Sequence, residues 1–211
     1  MFFITLALLK NTFSREDFFF NGWAGAPSAD PVYGDEFLYD INDTSPRTLY
    51  AVWVDKNVFS HTGSADEDEA ENVYITDYTG YDNVLFIPSV IGNKHFVGID
   101  MGAFQECPSL ISVYIPDSIK TLDDYAFFNC ESLTSVVIPD SITSIGNYTF
   151  YGCIELASVS IPDTVTSIGN DVFYKCNKLS SITLPESLTS IGDSAFEGCT
   201  NLKSVTVGDK E

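Results

Sequence analysis

The chain reads as a mainly β protein: a solenoid of 23-residue coils with a small, partial β module ahead of it. Three observations carry that reading. The five cysteines, Cys107, Cys130, Cys153, Cys176 and Cys199, follow one another at intervals of 23 residues. Phe104, Phe127, Phe150, Phe173 and Phe196 keep the same step, and so do Pro116, Pro139, Pro162 and Pro185. A fixed period in the range of about 20–50 residues marks stacked copies of one supersecondary unit, each burying its apolar face against its neighbours.

Bulk composition narrows what such a stack can do. With 211 residues, 45% hydrophobic and 19% charged, the chain has a real core and is neither disordered nor built to span a membrane. Ten Lys and Arg against 30 Asp and Glu give a net charge of -20. That field repels nucleic acid and anionic lipid, so neither is expected as a partner. The carboxylates are dispersed along the chain, as on a solvated surface.

Taken in order, residues 1–54 are rich in aromatics and turn formers and show no helical period. FITLALL, DFFFNGW and RTLYAVWV read as short strands, with GWAGAPSADPVYGDEF as a long surface connection. The opening MFFITLALLK lacks the basic start and small-residue cleavage site of a signal peptide, and it is shorter than the roughly 20 residues of a membrane span. Strand is the better reading. Residues 55–77 carry the acidic run ADEDEAE and read as an acidic linker and the entry to a cap. That run lacks the glycine and the spacing of a calcium loop.

Residues 78–211 form the stack. Each unit reads A-F-x-x-C-x-x-L-x-S-V-x-I-P-x-x-I-x-x-I-G. The stretch L-x-S-V-x-I-P alternates, so Val113 and Ile115, Val136 and Ile138, Val159 and Ile161, and Ile182 and Leu184 point one way. Proline ends each strand because it donates no ladder hydrogen bond. Gly146, Gly169 and Gly192 are expected at turns whose backbone conformation is closed to other residues. The following Phe returns to the core from the opposite side. Leu85, Ile87 and Pro88 belong to an earlier, irregular coil, with five extra residues within VIGNKHFVGID. No capping segment follows the last strand, SVTV, whereas terminal repeats normally carry one, so the chain is expected to be cut at that end.

The unit resembles the leucine-rich repeat of the BspA type, found in bacterial and some protozoan surface proteins. The likeness covers about residues 73–207 and rests on AFQECPSLISVYIPDSIKTL and its three close successors. It departs at Asp100 and Asp123, where later copies have Gly, and at Asp171-Val172-Phe173. The N-terminal residues NTFSREDFFFNGW and TLYAVW resemble the second half of a Listeria–Bacteroides repeat, the internalin B-repeat, with Asp17 in place of its usual Gly. That resemblance implies a partial β-grasp-like module in an exported, cell-surface protein, and it brings no catalytic residue.

Catalytic, metal and cofactor chemistry find little footing. In a parallel ladder, equivalent cysteines stand about 4.8 Å apart with parallel side chains, whereas a disulfide wants Cβ atoms near 3.8 Å and converging. The thiols are therefore expected as small apolar ladder residues. A zinc site needs four converging ligands, which a linear ladder does not offer. His61 in the linker and His95 in the irregular coil have no triad partners beside them in sequence. No cofactor is expected, and no enzyme activity.

The outward residues say more. One column down the stack is Phe86, Tyr114, Val137, Ser160, Thr183 and Thr206; its neighbour is Val84, Ser112, Ser135, Ser158, Ser181 and Ser204. The concave sheet is thus apolar and aromatic at its N-terminal end and lined by hydroxyls elsewhere. Phe86, Tyr114 and Val137 are the expected contact site for a protein ligand, a host or matrix protein among them. An N-terminal segment folded over that cluster is the plain alternative. A structural spacer is the competing role. Glycan binding needs aromatic platforms, and beyond Phe86 and Tyr114 these columns hold none.

Overall fold

The computed structural model describes residues 5–7, 18–24, 38–40, 50–63, 71–91 and 93–208, and side chains within 57–63, 72–91 and 93–208. Of the acidic run at 65–71 only Glu71 lies among them.

The N-terminal segment holds β1 (Thr5–Ala7), β2 (Phe18–Ala24), β3 (Leu38–Asp40) and β4 (Tyr50–Asp55). β1 pairs antiparallel with β3, and β2 with β4 across a bulge between Phe20 and Gly22. The three expected strands are present, and β3 is an addition just past the connection. A short 3₁₀ turn, Lys56–Val58, leads on.

The stack starts before residue 78. β5 (Phe59–His61) pairs antiparallel with β6 (Glu71–Tyr78), and β6 runs parallel to β9 (Lys94–Ile99). Residues 59–61 and 71–78 thus form a lid on the solenoid, and His61 sits in a strand. The lid forms because Phe59 and Tyr78 have the first coil to cover: their rings lie 5.2 Å apart, and Tyr78 is 5.2 Å from Phe104. The irregular coil holds β7 (Val84–Phe86) and β8 (Val90–Ile91). β8 folds back antiparallel on β9, which accounts for the five extra residues.

Each later coil but the last gives one strand to each of two flanks among the described residues. On the first flank lie β10 (Ser112–Tyr114), β12 (Ser135–Val137), β14 (Ser158–Ser160), β16 (Ser181–Leu184) and β18 (Ser204–Val207). On the second lie β11 (Thr121–Leu122), β13 (Ser144–Ile145), β15 (Ser167–Ile168) and β17 (Ser190–Ile191). All these pairings are parallel and 23 residues apart, as for Val113 with Val136 and Ile145 with Ile168. The second sheet runs unbroken as β17-β15-β13-β11-β9-β6-β5. The first does not: β7, β10, β12 and β14 form one sheet, β16 and β18 another.

Between the flanks lies the core. Phe104, Phe127, Phe150 and Phe173 are fully buried and stack with centroids 5.1, 5.7 and 5.7 Å apart. Each such pair contributes about 0.5–1.5 kcal/mol beyond its buried area. Val113, Ile115, Val136, Ile138, Ile182 and Leu184 point inward as the alternation requires.

Turn chemistry departs from the expectation. Gly146, Gly169 and Gly192 do not hold a left-handed backbone; an added Cβ there would strike the preceding coil, 2.6 Å from Asp124 N at Gly146 and 2.7 Å from Asn147 N at Gly169. They are glycines for close approach. The left-handed positions bracket the buried Phe instead: Gly102, Tyr125, Tyr148, Asp171 and Ser194 on one side, and Glu106, Asn129, Gly152, Lys175 and Gly198 on the other. Beside Gly146 and its equivalents runs an Asx ladder, Asn147 N to Asp124 Oδ1, Asn170 N to Asn147 Oδ1 and Asp193 N to Asn170 Oδ1. It satisfies backbone donors that the turns leave open.

Candidate binding face

The register places the expected site residues side by side. Phe86 pairs with Tyr114 and Tyr114 with Val137, and the column continues through Ser160. A parallel ladder puts equivalent outward side chains in line, and here the Phe86 and Tyr114 rings stack 4.1 Å apart at 4°. Tyr114 is 45% exposed and Val137 58%. Phe86 is half-buried at the edge strand, and Cα atoms of β2 come within 8 Å of those of β7. The N-terminal segment therefore borders one end of the patch. Farther along, hydroxyls take over, with Thr183 and Thr206 Oγ1 atoms 3.1 Å apart.

The ladder lapses between β14 and β16. Thr134 N donates to Ile111 O at 2.8 Å, Ala157 N to Thr134 O at 2.9 Å and Lys203 N to Ser180 O at 2.9 Å, but the equivalent bond from Ser180 N to Ala157 O is not made. Val159 and Ile161 are only half-buried, unlike Val136 and Ile138 before them and Ile182 and Leu184 after them. A groove of about 420 Å³ opens there, lined among others by Ser158, Ser160, Ser181 and Thr183.

The cysteines are all free, and four are buried. They are more than apolar filler. Cys130, Cys153, Cys176 and Cys199 each donate to the carbonyl of the Phe one coil back, at 3.0, 3.2, 3.3 and 3.0 Å. Burial pushes the Cys153 thiol up to about 12, and it raises Cys176 and Cys199 as well. Such thiols are poor nucleophiles.

His61 and His95 do not converge on a nucleophile. Nδ1 of His61 lies 2.8 Å from Thr62 O, and His95 is exposed on β9 opposite Asn72. Among the described residues no group of three His, Cys, Asp or Glu could hold a metal, and no helix is long and apolar enough to cross a membrane.

A second aromatic surface escaped the sequence reading. Tyr125 stacks on Tyr148, and Phe128 on Tyr151 and Tyr151 on Tyr174, with centroids 4.7, 5.0 and 4.7 Å apart. All five rings are half-buried and lie in the turns, off both sheets. Their 23-residue step is visible in the sequence, but only three coils carry it.

Comparison with known proteins bears on the whole stack. Residues 97–210 match, in six copies, the family described as the BspA type leucine rich repeat region. The leucine rich repeat protein of T. pallidum is similar at 32% identity with a TM-score of 0.66, over 72% of this chain and 70% of that one. A leucine-rich repeat protein of Bacteroides ovatus is similar at 32% identity and a TM-score of 0.61, over 71% of this chain and 39% of that one. For a leucine rich cell surface protein of Faecalibacterium prausnitzii the figures are 32% and 0.59, over 74% of this chain and 42% of that one. The chain thus spans less than half the length of the last two. No curated protein matches it.

Proposed function

Because this chain belongs to the BspA type leucine rich repeat family, we propose that it is a non-enzymatic binding module of a cell-surface protein, engaging a protein ligand through the concave β face. The observation that carries this reading is the stacked pair Phe86 and Tyr114 with Val137 beside it, a flat apolar patch on an otherwise hydroxylated sheet. Rigid aromatic anchors supply large contact area with little rotamer entropy to lose, which is the usual chemistry of a hot spot. Surface placement follows the family and the relative described as a cell surface protein. Adhesion to a host or matrix protein is the form of binding that this placement favours. The N-terminal strands belong to the proposal as a partial Listeria–Bacteroides module beside the patch.

The test is a binding screen of the purified chain against extracellular-matrix proteins and a glycan array, beside a variant with Phe86→Ser, Tyr114→Ser and Val137→Ser. Saturable binding to one protein class, lost in the variant, is the expected result. A ligand that binds both chains equally places the site elsewhere.

The second reading is a spacer that presents other domains. It is favoured by the uniform Ser112, Ser135, Ser158, Ser181 and Ser204 column. A spacer binds nothing saturably in that screen.

A further inference from the structure

One of the two aromatic columns in the turns is built at a cost. Tyr125 and Tyr148 hold left-handed backbone, φ 60 and 57, where a bulky side chain is uncommon and where the same position in the preceding coil is Gly102. The fold does not require rings there: the column also accepts Asp171 and Ser194, and its neighbour accepts Gln105 and Glu197.

The columns lean toward each other. Tyr125 and Phe128 centroids are 5.5 Å apart at 59°, and Tyr148 and Tyr151 are 6.0 Å apart at 52°. Five half-buried rings thus form one trough along three coils. Carboxylates lie beside its Tyr148 end. Asp171 follows Tyr148 in the column, and its carboxylate holds the phenol above its usual range. Asp124 adds to that field. At the far end Lys175 already sets its ammonium 5.2 Å from the centre of the Tyr174 ring. Phenol oxygens beside carboxylates, in a chain of net charge -20, suit a basic partner.

We propose that this trough is a second binding surface, separate from the concave sheet, and that it takes a basic segment of a protein partner, its Arg or Lys side chains lying against Tyr125, Tyr148, Phe128 and Tyr151 with Asp171 as counter-charge. Arginine fits best, since its guanidinium offers five N–H donors to phenol oxygens and carboxylates.

A fluorescent peptide of alternating Arg and Ser, titrated into the full chain and followed by anisotropy, tests this, beside the same peptide with citrulline for Arg. The variant Tyr148→Ser/Tyr151→Gln borrows residues that other coils carry at these positions, Ser194 and Gln105, and leaves the net charge at -20. The arginine peptide is expected to bind saturably, the citrulline peptide not to bind, and the variant to lose at least tenfold in affinity (about 1.4 kcal/mol per decade). The Phe86, Tyr114, Val137 triple-Ser chain should keep full affinity. Equal affinity of wild type and tyrosine variant overturns the proposal, because bulk charge alone then holds the peptide. So does a wild-type chain that ignores the arginine peptide and binds neutral oligosaccharides through the same rings. If the variant does not fold, ring NMR signals of Tyr125 and Tyr148 in the wild type decide: they shift on titration, or the proposal fails.

Discussion

Cys153 donates its thiol proton to the carbonyl oxygen of Phe127, 3.2 Å away and one coil earlier. The same thiol is held up to about 12 by burial, whereas an unfolded cysteine titrates near about 8.5. Between those values the native state binds the extra proton. The contribution is therefore fully present below about pH 8.5 and is lost as pH rises through the native value, by at most roughly 1.4 kcal/mol per pH unit for each such thiol. Urea midpoints measured across that window should fall with rising pH, and less steeply for Cys153→Ala. Equal slopes for the two chains would show that this thiol is not the source.

Gly169 lies so near the coil before it that a methyl group would meet Asn147 N at 2.7 Å and Asn147 Cα at 2.9 Å. These are backbone atoms and cannot rotate away. Gly169→Ala should lose about 1–3 kcal/mol as overpacking, read as a lower thermal midpoint by circular dichroism. An unchanged midpoint means that the coils stand farther apart than this.

Amide exchange should resolve the lapse in the first sheet. Ala157 and Lys203 donate across their coils and Ser180 does not, so Ser180 N–H is expected to exchange faster than either by at least about tenfold under native conditions. Equal protection of all three means that the ladder is continuous.

Much of the stack was legible because a repeat states its own geometry. The 23-residue step of Phe, Cys and Pro set the coil, and the alternation around Val113 and Ile115 set which side chains enter the core. The outward column Phe86, Tyr114 and Val137 followed from the same alternation. Other features left weaker marks. The second flank uses two-residue strands such as Thr121–Leu122, too short for a period to show. Gly146, Gly169 and Gly192 were read as conformational because sequence does not separate a strained φ from a near neighbour. The pairing of Phe59 with Tyr78 leaves no local mark, because the two rings meet across the acidic run. The lapse beside Ser158-Val159-Ser160 has no signature at all, since Ser135-Val136-Val137 is the same kind of strand and pairs on both sides.

That lapse divides the first flank. β15 and β17 stay joined through Ser167 with Ser190 and Ile168 with Ile191, while β14 and β16 are not joined. The coils on either side of it stay stitched along the second sheet and through the turns, where Phe150 N donates to Val172 O and Gly152 N to Tyr174 O. A ligand spanning both halves, one bearing Tyr114 and the other Thr183, therefore meets a seam in the sheet and not one continuous ladder.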